Sequence, residues 1–206
     1  MYLNIIFIAI ILVSIALLFR EGLWSNTLGL FTAITSALIA TNYFEPVSRF
    51  LSDLIPFMDY NWDVMVLGIL FALSYAALRQ LLLFASRYRV RFHPLADSIG
   101  GTLVAVWTSW VAVCFVCFAL HTAPMSRIYL GGSFDPEQAM FFGTAPDRLW
   151  LGFVRKVSNG GGWGRNVTDD QGRVLSVFDP KGEYMLKYAS RRAFLEKHES
   201  AFVDGK

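Results

Sequence analysis

The sequence predicts an all-α integral membrane protein: four transmembrane helices, short amphipathic helices at the membrane surface and a partly ordered C-terminal tail. Three observations carry this expectation. Of the 206 residues, 55% are hydrophobic and only 17% charged, a balance outside that of ordinary soluble domains. The apolar residues sit in long blocks before position 121 and thin out after it. Finally, Arg87, Arg89 and Arg91 alternate just ahead of Ile99 to Leu120, a run with no charged residue, which reads as a cytoplasmic anchor feeding a span. The expected division is a transmembrane domain over 1–120 and an extramembrane segment over 121–206.

Met1 to Phe19 is almost wholly apolar and, at about 1.5 Å rise per residue, just covers a hydrocarbon core of about 30 Å. A retained span is expected in preference to a cleaved signal peptide, because no basic residue precedes the run and Arg20-Glu21 stand where small residues mark cleavage. The second span, Leu23 to Phe44, carries Ser25, Gly29, Ala33, Ala37 and Thr41 at every fourth position, a small-residue stripe along one helical face. Such a stripe serves packing within the chain or self-association. Glu45 to Asn61 is expected to leave the span as a separate amphipathic helix behind Pro46, stopped at Pro56 and lying on the membrane. Trp62 to Phe84 forms the third span, with a second stripe at Gly68, Ala72 and Ala76, and the fourth carries a third at Gly101, Ala105 and Ser109.

The charges orient these spans. Short loops rich in Lys and Arg stay in the cytoplasm, so Arg87, Arg89 and Arg91, with Arg20 on the same side, place both termini outside. Arg79 is the one charge well inside a span; it either snorkels to the headgroups or joins an interior ion pair or pore. Asp97 is placed to cap the fourth helix, or to partner Arg79 or a protonation step.

Phe19-Arg20-Glu21-Gly22-Leu23, Leu28-Gly29-Leu30, Ala40, Phe44-Glu45-Pro46 and Asp97-Ser98-Ile99-Gly100-Gly101 before an apolar helix together resemble the colicin V production protein (CvpA) family. The resemblance covers roughly Met1 to Leu120. It implies a small multi-pass protein of the bacterial inner membrane, commonly with four spans and without an agreed biochemical activity; the outer side is then the periplasm. The pattern departs at Glu21, where the family usually has a basic residue, at Ser98, where it usually has Arg, and at Ala105 and Ser109, where further glycines are usual.

Beyond Pro124 the chain is mixed and glycine-rich. Thr144 is expected to cap a helix from Asp147 through Val157, either interfacial or packed as in a soluble domain. Asn159 to Gly164 reads as a linker, lacking the Lys and Ser or Thr of a phosphate loop. Arg173 to Phe178 suggests a short strand, and Glu183 to His198 a solvated or lipid-surface helix. Nothing implies a cofactor: Cys114 and Cys117 stand alone without a completing Cys or His pair and read as packing residues. A spread-out net charge of +2 argues against nucleic acid. The three histidines, His93, His121 and His198, lie at loops or in the tail, and Ser109 lacks a Gly-x-Ser-x-Gly frame, so no enzyme is expected. The expected partners are the lipid bilayer and either further copies or other membrane proteins. Two functions fit: an accessory factor in envelope processes such as toxin production or export, or a homo-oligomeric conduit lined by the polar second helix.

Overall fold

The structure is a computed structural model that describes residues 2–56, 59–86, 92–124, 141–159, 166–168 and 174–203. In chain order these form α1 (Tyr2–Leu18), α2 (Gly22–Leu54), α3 (Asp59–Ala85), α4 (Pro94–Thr122), α5 (Pro146–Ser158), β1 (Asn166–Thr168), β2 (Val174–Ser176) and α6 (Tyr184–Val203). The two strands pair antiparallel, Val167 opposite Leu175. Three helices are long and apolar enough to cross a membrane: Gly22–Leu54, Asn61–Ala85 and Pro94–Thr122. The first expected span is present as α1, but its 17 residues reach only about 25 Å, short of the hydrocarbon thickness.

Helices α2 and α4 form the centre. On α2 rests α3, and on α4 rests α1, through Leu3 and Phe7 against Val113 and Cys117. The outer faces are strongly apolar: Leu12, Leu17, Leu73, Phe84, Leu103 and Trp107 are all exposed, an arrangement suited to lipid and adverse in water.

The amphipathic helix expected over Glu45 to Asn61 does not stand alone. Helix α2 runs unbroken through Pro46 to Leu54, giving a rod of about 50 Å that must emerge from a core of about 30 Å. An interior proline costs a helix about 3 kcal/mol, and packing around the emergent end opposes that cost: Val47 and Leu51 join the main hydrophobic cluster, and Ser48 donates to the Asp63 carboxylate. Pro56 does mark the stop, just beyond the Ile55 N–H that closes on Leu51 O.

Helix α6, expected as a solvated or lipid-surface helix, is instead packed on the bundle. Tyr184, Tyr188 and Arg192, one turn apart in succession on α6, are all buried. Tyr184 stacks on Phe118 with ring centroids 4.6 Å apart, and Phe44 meets both rings edge-on. On α5, Pro146, Asp147, Trp150, Val154 and Ser158 are buried, while Leu149 and Phe153 stay exposed; this is the packed placement of that helix. Its cap differs too, since Ala145 holds the N-cap without a side-chain bond and Thr144 donates instead to Phe141 O. One hydrophobic cluster thus joins α2, α3, α4, α5 and α6, continuous across His121.

Burial, then the neighbouring Tyr188, Glu45 and Asp63, pushes the Tyr184 phenol well above its usual range; burial, then Asp63 and Glu45, does the same for Tyr188. A phenol whose folded pKa is raised stabilises fully below its unfolded value of about 10 and loses that contribution as pH climbs past it. In detergent, tyrosinate absorbance is therefore expected to appear together with loss of near-ultraviolet circular dichroism at alkaline pH. Joint replacement Tyr184→Phe and Tyr188→Phe should move that transition upward; an unmoved transition would remove the phenols from the docking of α6.

Candidate functional site

Two of the stretches that carried the sequence resemblance, Phe19 to Leu23 and Asp97 to Gly101, meet at one end of the bundle. Asp97 was expected to cap its own helix, yet the N-cap of α4 is His93, with no side-chain bond. The Asp97 Oδ1 instead accepts the Leu23 N–H at 2.9 Å, capping the first turn of α2 across 74 residues of sequence. The chain turns into α2 at Gly22 with φ +73, and a Cβ there would stand 2.8 Å from Asp97 Oδ2, so both conformation and space demand glycine. Opposite, a Cβ on Gly101 would stand 3.1 Å from Gly22 C and Leu23 N, both backbone atoms. Helices α2 and α4 therefore touch main chain to main chain at this point.

Asn26, one turn further along α2, ties in a third helix. Its Nδ2 donates to Leu18 O at the end of α1 and to Gly101 O, each at 3.0 Å, a second donor for the Leu18 carbonyl, which also accepts the Glu21 N–H. Arg79 completes the junction from α3. It pairs with Glu21 at 3.2 Å, not with Asp97, while Ser25 also donates to Glu21 and Trp24 Nε1 reaches Ser86 Oγ at 3.2 Å. These groups border a cleft of about 660 Å³ between the start of α2 and the end of α3.

The other packing positions divide. Ala37, Ala105 and Ser109 are fully or almost fully buried, Gly29 is buried and Ala33 half-buried, and the position of a Cβ on Gly29 lies 3.6 Å from Arg79 Nη1. Gly68, Ala72 and Ala76 are exposed, and a Cβ on Gly68 meets no atom within 4 Å among the described residues. Among the described residues no close contact forms at Gly68, because α3 turns its other side to α2. Arg87, Arg89 and Arg91, which were to set the orientation, lie outside the described residues.

A second polar cluster, at the opposite end, was not singled out from sequence. His121 Nε2 lies 3.1 Å from Asp147 Oδ2, Arg192 Nη2 lies 3.1 Å from His121 Nδ1 and donates to His121 O at 2.8 Å, and all three residues are buried. Beside it Asp63 accepts from Ser48, Tyr188 and Arg191, and Lys187 pairs with Glu45 at 2.7 Å. The signal available beforehand was the i, i+4, i+8 spacing of Tyr184, Tyr188 and Arg192. Among the described residues no group of three His, Cys, Asp or Glu is placed to hold a metal ion; Cys114 and Cys117 are buried free thiols.

The junction and the α3 face differ in what a methyl group would meet. Gly101→Ala must push two backbones apart and is expected to cost about 1–3 kcal/mol, whereas Gly68→Ala should be neutral or stabilising by up to about 1 kcal/mol through helix propensity. Thermal unfolding of both variants in detergent checks this; equal effects would disprove the close contact at Gly101.

Among protein families, the chain matches the one described as colicin V production protein over residues 3–134, more than half its length and, but for Tyr2, all of α1 to α4. No curated protein and no solved structure matches it. With its apolar helices and its two motif stretches joined at the Asp97 junction, this chain belongs to the colicin V production protein family.

Proposed function

We propose that the protein acts without catalysis, as a multi-pass inner-membrane accessory or assembly factor in envelope processes such as the production or export of a colicin V-type toxin. The observation that carries this reading is the junction itself. Its polar groups are committed to one another: Asp97 to the Leu23 N–H, Asn26 to two carbonyls, and Arg79 to Glu21. Such groups hold helices in register, and Arg79 and Ser25 both engage the Glu21 carboxylate.

The conduit alternative relied on the hydroxyls and amides of the second helix. In the fold, Thr32, Ser36 and Thr41 donate to the carbonyls of Leu28, Thr32 and Ala37 on their own helix, each at 2.7 Å, and Asn42 donates to Leu38 O at 2.8 Å. All four are buried within the chain, which favours packing over a water path. The exposed face of α3 is where we place contact with further copies or other membrane proteins.

For orientation, we place the Asp97 end, with Arg20, Arg79 and the Arg87 to Arg91 run, in the cytoplasm, and α1's start, α5 and α6 in the periplasm. On a background with Cys114→Ala and Cys117→Ala, Val90→Cys should be protected from a membrane-impermeant maleimide in intact cells and Ser190→Cys labelled; the reverse pattern would invert the topology. For the accessory role, toxin activity in the medium is expected to fall several-fold in a bacterial host that carries a colicin V-type peptide toxin and lacks this protein. Wild type should restore it, and membrane-inserted Gly101→Leu should not. Toxin release that is indifferent to the protein would overturn the role.

A further inference from the structure

We propose that His121, Asp147 and Arg192 form a proton-sensitive latch that holds α6 on the end of α4 at neutral pH and releases it in acid. The inference stands on the buried cluster and is independent of the accessory role. Arg192 Nη2 carries two N–H groups, and it faces two acceptors on one residue: His121 O at 2.8 Å and His121 Nδ1 at 3.1 Å. A guanidinium can only donate, so Nδ1 is unprotonated, and the ring proton sits on Nε2, which donates to Asp147 Oδ2 at 3.1 Å. The neutral imidazole is thereby held in one tautomer between a carboxylate on α5 and a cation on α6.

Adding a proton at Nδ1 changes the two sides in opposite directions. Toward Asp147 the Nε2–H bond becomes charge-assisted and stronger. Toward Arg192 two donors and two positive charges now meet at 3.1 Å, in a site where all three residues are almost fully buried and water screens little. The proton thus ties His121 to α5 and drives α6 away. Among the described residues, the groups around the imidazole include Asp147 from α5, Arg192 from α6, and on α4 the buried thiol of Cys117 one turn back. Among the described residues, α6 is also held by ion pairs that do not involve the imidazole, Arg191 with Asp63 and Lys187 with Glu45.

The test uses the full chain in lipid nanodiscs, with spin labels at Leu186→Cys on α6 and Phe50→Cys on α2, both exposed positions, and with Cys114→Ala and Cys117→Ala. Pulsed electron resonance should give one narrow distance at neutral pH and a longer, broader distribution near pH about 5. His121→Gln should stay narrow at both. Should His121→Gln fail to dock at neutral pH, Arg192→Gln decides: its amide can donate to Nδ1 or, flipped, accept from Nδ1–H, so docking becomes indifferent to the proton. A wild type that stays narrow in acid, or acid broadening that survives in the docked variant, would overturn the latch.

Discussion

Everything in this bundle is referenced to the contact between Asp97 and the first turn of α2. The N-terminal N–H groups of a helix have no partner in their own helix, and near the bilayer an unpaired one costs several kcal/mol. Asp97 supplies the acceptor from another helix, so the bond that satisfies α2 also fixes its height against α4. The geometry tolerates no side chain at the crossing, as Gly22 and Gly101 show. Once α2 and α4 are in register, Asn26 ties the end of α1 to Gly101, and Glu21 receives Arg79 from α3. Four helices take their positions from one carboxylate and two missing methyl groups.

The two ends of the bundle solve different problems. At the Asp97 end the helices bind one another directly. At the far end α2 extends past any hydrocarbon boundary, and its polar and aromatic residues would be left open without α5 and α6. Trp150 donates to Thr41 Oγ1 at 3.1 Å, Tyr188 donates to Asp63 at 3.0 Å, and Phe118 is covered by Tyr184. The charged groups buried here pair within the protein, which is the condition for burying them at all. Their cluster is therefore a coupling between the membrane helices and the C-terminal segment, able to respond to a proton in a way that the hydrophobic contacts beside it cannot.

Three helices long and apolar enough to cross a membrane were legible in the sequence because long apolar runs have few other uses, and Gly101, Ala105 and Ser109 share a buried face because their period of four matches a helix. Period alone does not say which face meets a neighbour: Gly68, Ala72 and Ala76 have the same spacing and lie exposed. Pro46 was a sound local signal that tertiary contacts at Val47, Ser48 and Leu51 outweighed. Asp97 was recognised as a cap, but local reasoning assigns a cap to its own helix, and the recipient lies 74 residues away. His121, Asp147 and Arg192 were hidden for the same reason, each unremarkable in its own segment and meaningful only when three helices converge.

The departures of this chain from the family pattern become coherent in the fold. Glu21 stands where a basic residue is usual, and it pairs with the one cation inside a span, Arg79, which would otherwise have to reach the headgroups alone. Ala105 and Ser109 stand where glycines are usual, and both are fully buried, with the Ser109 hydroxyl returned to Ala105 O at 2.8 Å. Those two positions hold a methyl and a hydroxymethyl group. At Gly101 a Cβ would meet backbone, which leaves no room, and that point is where the Asp97 carboxylate already holds the two helices together.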